Sequence, residues 1–175
     1  HERSSAASDV YKRQVQYDSL VLEKTRVVPP NKHGLPSNEV IHIYMLYYKG
    51  VPLYNHKIRI VQLKEIITVV NIPKEIPLDL KDLDVEPKFS EVEVVKIAIK
   101  ENPADMYYWE FLASLPNPKQ EVLDRAYPQP ELLIYTQENT ALLAYRLILM
   151  ARKPSFTLEI LIDANNGKVI YCLLY

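Results

Sequence analysis

FTLEILIDANNGKVI, residues 156–170, decides how the rest of the chain is read. Leu158 to Asp163 form an apolar run with β-branched isoleucines, the composition of a strand. Asn166-Gly167 then reads as a tight turn, because a type I′ hairpin needs positive φ at both central residues. Lys168 to Tyr171 begin a return strand. A hairpin here calls for sheet partners upstream. Ala141–Met150 supplies one, joined to Phe156–Asp163 through the turn ARKP, residues 151–154. That turn sets Leu149 opposite Phe156, Leu147 opposite Leu158 and Tyr145 opposite Ile160. Leu147, Leu158 and Ile160 are then expected in the core. Arg146 meets Glu159 on the outer face, an expected exposed charge pair.

The same reasoning applies further upstream. Val40 to Leu63 read as a hairpin about Lys49–Pro52. With Tyr48 opposite Leu53, Ile41 pairs with Ile60, Ile43 with Ile58, Met45 with His56 and Tyr47 with Tyr54. One face is then mostly apolar and the other mostly polar, as a half-buried antiparallel sheet requires. Glu65 to Asn71 is β-branched and reads as a third strand. Residues 72–88 carry prolines and charges and read as an irregular connector.

FSEVEVVKIAIKENP, residues 89–103, predicts a helix ended by Pro103. Ser90 sits three residues before Glu93, the spacing of a capping box. Phe89 and Val94 are placed for a hydrophobic staple. Val92, Val95 and Ile99 share one face, with Val94 and Ala98 beside it. Residues 105–115 are aromatic and predict a second short helix. Residues 116–130 read as a Pro-bounded connector, and Glu131–Thr136 as a strand. Three strands, a linker, a helix, three strands and the start of a fourth make no regular βαβ alternation. The fold class is therefore α+β with antiparallel sheets.

Composition narrows the function classes. The chain has 175 residues, is 48% hydrophobic and 25% charged, and carries a formal net charge of −1. That fits a core-forming chain with no electrostatic footprint for nucleic acid. No apolar run reaches the roughly 18–20 residues of a membrane span. With 3 glycines there is no phosphate-cradling loop. The 13 tyrosines suit strands, as core and edge residues or as a ligand-binding surface. Cys172 is the single cysteine, so no internal disulfide is possible.

Both ends differ from the middle. Residues 1–14, HERSSAASDVYKRQ, are small, polar and aperiodic, and SSAASDVYKRQ resembles translated sequencing adaptor. The terminal CLLY, residues 172–175, resembles the adaptor at the other end. Both are set aside, which leaves a native segment of residues 15–171, expected to continue at both ends.

Few residues point to chemistry. His1, His33, His42 and His56 contain no H-E-x-x-H pairing, and the expected register puts His42 and His56 on opposite faces. Asp82 and Asp84 lie in a charged connector and read as solvated. Cys172 lies in the suspect tail. The segment is expected to be non-catalytic.

Two segments carry a family resemblance. Tyr48, Lys49, Gly50, Val51 and Pro52, followed by Leu53 and a return strand, resemble the first module of the fungalysin/thermolysin propeptide family. Ser90 and Glu93 at a helix start, Leu143-Ala144-Tyr145 on a strand, and Asp163, Ala164, Gly167 and Val169 near the end resemble its second module, the PepSY domain. The order and spacing match from about Val40 to Tyr171. The resemblance implies residues 15–86 as the first module and 87–171 as the second, a cystatin-like sheet with a helix packed on it. It further implies an intramolecular chaperone and inhibitor of a secreted, thermolysin-type zinc metalloprotease lying downstream in cis. Zinc belongs to that protease, so no metal ligand and no cofactor is expected here. The alternative is a free-standing PepSY-type protein, secreted or in the cell envelope, that binds a protease or other partner in trans.

Overall fold

A computed structural model describes residues 19–30, 37–71, 80–137 and 140–175. It is a mixed α and β structure, rich in mostly antiparallel sheet with few helices. The chain divides into two compact units: residues up to Leu83 with 134–141, and 84–133 with 142–175. Residues 134–141, expected with the second module, thus group with the first. The expected adaptor segment 1–14 and the reading of His33 lie outside the described residues.

In the first unit, β1 (Ser19–Val27), β2 (Glu39–Tyr48), β3 (Val51–Leu63) and β4 (Ile66–Asn71) pair in sequence order, each antiparallel to the next. The sequence reading assigned no element to β1, although SLVLEKTRVV before Pro29-Pro30 has strand composition. The β2–β3 turn is two residues long rather than four. Lys49 and Gly50 take φ of 47° and 77°, and Tyr48 faces Val51. The twist of this left-handed pair matches that of the flanking strands, as in a type I′ hairpin. The register then shifts between Tyr47↔Pro52 and Met45↔Lys57, with Asn55 at φ 62° in the interruption. Asn tolerates that conformation better than other side chains. Beyond it Ile43 faces Arg59 and Ile41 faces Val61, so the expected pairs are displaced by one. Leu53, inside the interruption, pairs in parallel with Ile134 of β6 (Glu131–Gln137) and is fully buried.

In the second unit, β7 (Thr140–Lys153), β8 (Ser155–Asp163) and β9 (Val169–Leu174) form a meander, with the short β5 (Met106–Tyr107) on β7. The β7–β8 turn is Lys153-Pro154, two residues rather than four, so Leu149 faces Leu158 and Leu147 faces Ile160. The register differs from expectation by two, which keeps every side chain on its face. Leu147 and Ile160 are buried as expected, while Leu158 is only half-buried. Cys172, Leu173 and Leu174 pair with Ile160, Glu159 and Leu158. The strand therefore runs through the tail that the sequence reading had set aside. An uncharged apolar segment beside an open strand edge has every reason to pair with it.

Three helices complete this unit: α1 (Glu91–Glu101), α2 (Tyr108–Ala113) and α3 (Gln120–Ala126). α1 buries Val94, Val95 and Ala98, whereas Val92, expected on that face, is 63% exposed. α3 occupies a stretch read as connector. Its pairs four residues apart, Arg125 with Glu121 and Gln120 with Asp124, are exposed, and its flanking prolines masked a helix of this length. Trp109 stacks on Tyr107 at 4.6 Å and meets the edge of Tyr127 at 5.2 Å, which ties α2 to the residue closing α3.

Candidate functional site

In the second unit, Leu143, Ala164 and the residues just before the Ser90 cap meet at one backbone junction. Ser90 caps α1: its hydroxyl accepts the Glu93 N–H at 3.4 Å, and Glu93 Oε2 accepts the Ser90 N–H at 2.8 Å and the Ser90 hydroxyl at 2.7 Å. Those bonds, the backbone one first, with help from Lys96, hold the Glu93 carboxyl below the usual carboxylate range. Just before the cap, the N–H groups of Lys88 and Phe89 both donate to the carbonyl of Ala164, at 3.0 and 3.1 Å. The Ala164 N–H in turn donates to the Leu143 carbonyl at 2.9 Å. Ala164 and Ala144 are fully buried.

The turn itself is built by Asp163. Its Oδ1 accepts the N–H groups of Asn165 and Asn166 at 2.7 and 3.1 Å, and its Oδ2 accepts from the Asn166 amide at 2.9 Å. Its backbone carbonyl accepts the Gly167 N–H at 2.9 Å. Gly167 alone is left-handed, at φ 71°, so this is a longer, side-chain-braced loop and not the expected type I′ Asn-Gly turn. A Cβ on Gly167 would meet Phe89 Cζ at 3.0 Å and Ile97 Cδ1 at 3.1 Å, so the glycine also admits the close approach of α1. Val169 starts β9 opposite Ile162 and is partly exposed. Tyr145 is buried, and burial, then the charge of Glu91, pushes its phenol up.

The motif of the first unit has its own anchor. Tyr48 and Val51 are buried at the base of the two-residue turn, with Pro52 opposite Tyr47. The Tyr48 hydroxyl donates to the Lys81 carbonyl at 3.3 Å, and Lys49 Nζ donates to the Leu83 carbonyl at 3.2 Å while lying 5.0 Å over the Tyr48 ring. Leu80, buried completely, begins the segment they hold.

Sequence reasoning paired Arg146 of β7 with Glu159 of β8 but missed their burial and the tyrosines that β9 brings to them. Glu159 is buried, its side chain 4% exposed, and Arg146 is 28% exposed. Arg146 Nε and Nη2 both donate to Glu159 Oε2, at 2.9 and 2.6 Å. The hydroxyls of Tyr171 and Tyr175 donate to Oε1 and Oε2, at 2.7 and 2.8 Å. The pair is therefore not the exposed one expected from the sequence. Burial works against the guanidinium's charge, but Glu159, with Glu131 and Tyr175, overcomes it and raises the Arg146 pKa. Arg146 Nη1 points elsewhere and meets the exposed Glu131 at 3.2 Å. Arg146, Glu131, Arg125, Gln129 and Tyr127 line a cleft of about 190 Å³ whose remaining wall is Ala126, Leu147, Ile148 and Met150.

No family model matches the chain, and no curated protein matches it. Among solved structures it is similar to the C-terminal domain of YpeB from Bacillus megaterium. The identity is 15% and the TM-score 0.40, over 98% of this chain and 62% of that one. The chain thus spans less than two thirds of the neighbour's length.

The remaining candidates have local roles. His42 lies between Thr25 Oγ1 and Gln62 Oε1, each at 3.2 Å from its ring, while the buried His56 has Nδ1 2.9 Å from the Tyr54 carbonyl. Asp84 Oδ1 accepts the Glu86 N–H at 3.0 Å in the connector. Cys172 is exposed on β9. Among the described residues no group of three His, Cys, Asp or Glu is placed to hold a metal ion. Nor is any helix among them long and apolar enough to cross a membrane.

Proposed function

We propose that this chain is a propeptide-type segment. It would assist the folding of a secreted, thermolysin-type zinc protease domain and hold it inactive until the link between them is cut. One observation supports this reading above the others. Of the motifs on which the PepSY resemblance rests, Leu143-Ala144-Tyr145 joins Asp163-Ala164-x-x-Gly167 through the Ala164 N–H, and the residues just before the Ser90/Glu93 cap, Lys88 and Phe89, join it through the Ala164 carbonyl. Residues far apart in sequence that meet in one junction are more than a chance run of matches. In this reading the second unit is a PepSY-type, cystatin-like module with α1 laid on its sheet. The segment has no catalytic role of its own, and zinc stays with the protease. The motif residues then preserve the shape of the module and are not a reactive centre.

Chaperone action is tested by refolding. A denatured thermolysin-type protease domain, diluted out of denaturant with and without this chain, should regain more activity, after the chain is removed by digestion, when the chain was present. Equal yields with and without it would refute the chaperone role.

A further inference from the structure

The cleft beside Arg146 has the features of a carboxylate receptor with its own competitor attached. Arg146 cannot swing away, because Nε and Nη2 are held on the buried Glu159 and that carboxylate is itself held by Tyr171 and Tyr175. Its Nη1 is thereby aimed toward the position of Glu131. A second guanidinium, Arg125, lines the same cleft, and its present partner Glu121 is 72% exposed. The Gln129 amide is positioned at the cleft by the carbonyls of Asp124 and Tyr127, at 3.1 and 3.3 Å. Leu147, Ile148 and Met150 add apolar surface to the same lining.

We infer that this cleft binds an acidic side chain of a partner polypeptide, which displaces Glu131 from Arg146. Glu131 is the group to be displaced because it is 68% exposed and sits at 3.2 Å, whereas Glu159 is buried and sits at 2.6 Å. The guanidinium held on Glu159 leaves Nη1 fixed in direction for a charge-assisted bond, which a flexible ammonium would not. The volume of about 190 Å³ is below the roughly 300–1,000 Å³ of small-molecule sites. A single Glu or Asp side chain fits that volume. The inference stands apart from the inhibitory reading, since its test uses no protease.

The test titrates the full chain with the peptide acetyl-Ala-Ala-Glu-Ala-Ala-amide and with its Gln counterpart, followed by NMR of the Arg146 Nε–H and of the Tyr127 and Ile148 amides. The Glu peptide should shift these signals and the Gln peptide should not. Glu131→Gln, an exposed change that leaves the fold intact, should tighten binding about twofold to fivefold, the scale of an exposed ion pair removed from competition. Arg125→Gln should weaken it by a similar factor. Equal binding of both peptides, no shift with either, or no tightening in Glu131→Gln would each overturn the inference.

Discussion

Replacing Arg146 with Ala should be among the most damaging changes to a partly exposed residue in this chain. The substitution leaves Glu159, whose side chain is 4% exposed, buried without its cation. Breaking a buried ion pair from one side costs about 3–5 kcal/mol. Two facts lower that figure here. Arg146 is itself 28% exposed, and the hydroxyls of Tyr171 and Tyr175 remain at 2.7 and 2.8 Å to hold the carboxylate. We expect about 2–3 kcal/mol, against less than about 1 kcal/mol for Glu131→Ala, which removes only the exposed arm. The assay is urea unfolding at neutral pH, read as a change in midpoint at constant slope. The double variant Arg146→Met with Glu159→Leu should recover most of the loss, because no charge then remains buried. A cost below about 0.5 kcal/mol for Arg146→Ala, or a double variant no better than the single one, would refute the burial argument.

Gly50 and Gly167 share a left-handed φ, 77° and 71°, but Gly50 has nothing within 4 Å of a built Cβ while Gly167 faces Phe89 and Ile97 at 3.0–3.1 Å. Ala at Gly50 should therefore cost about 1 kcal/mol from backbone strain, and Ala at Gly167 about 2–3 kcal/mol, adding a steric part; equal costs in the same titration would show that the Gly167 contact is soft. Glu93 has a lowered folded pKa, so its contribution is present above the unfolded value of about 4.3 and disappears as pH falls through the folded value. Glu93→Gln should be less stable than the parent at neutral pH, with the gap closing on acidification below about pH 4; a gap independent of pH would contradict the capping-box assignment.

The elements were largely legible because periodicity and capping are local. Ser90 and Glu93 announce α1 by spacing alone, and the β-branched run at Ile66–Asn71 announces β4. Registers were less legible because they hang on turn length. Reading four-residue turns where Lys49-Gly50 and Lys153-Pro154 close in two displaced both hairpins by two residues at the turn, and in the first the irregularity between Met45 and Tyr47 then left the remaining pairs displaced by one. The displacement by two kept Leu147 and Ile160 in the core, since only an odd slip changes face. The site was hidden for a different reason. Arg146 and Glu159 look like solvent-facing charges on alternating strands, and only the hydroxyls of Tyr171 and Tyr175, brought over by β9, explain how the carboxylate can be buried. The Ala164 junction was equally unreadable, because its bonds are made by backbone groups that sequence does not distinguish.

The most direct test of the propeptide reading is inhibition in trans. Hydrolysis of a peptide substrate by a cognate thermolysin-type protease domain is followed while this chain is titrated in. On that reading a covalent link to the protease would raise effective concentration, so the separate chain would need only modest affinity, on the order of micromolar, over an interface of roughly 1,200–2,000 Å². Saturable inhibition in that range, with no peptide hydrolysis by the chain alone, is the predicted result. Undiminished protease activity at several hundred micromolar chain would contradict the account.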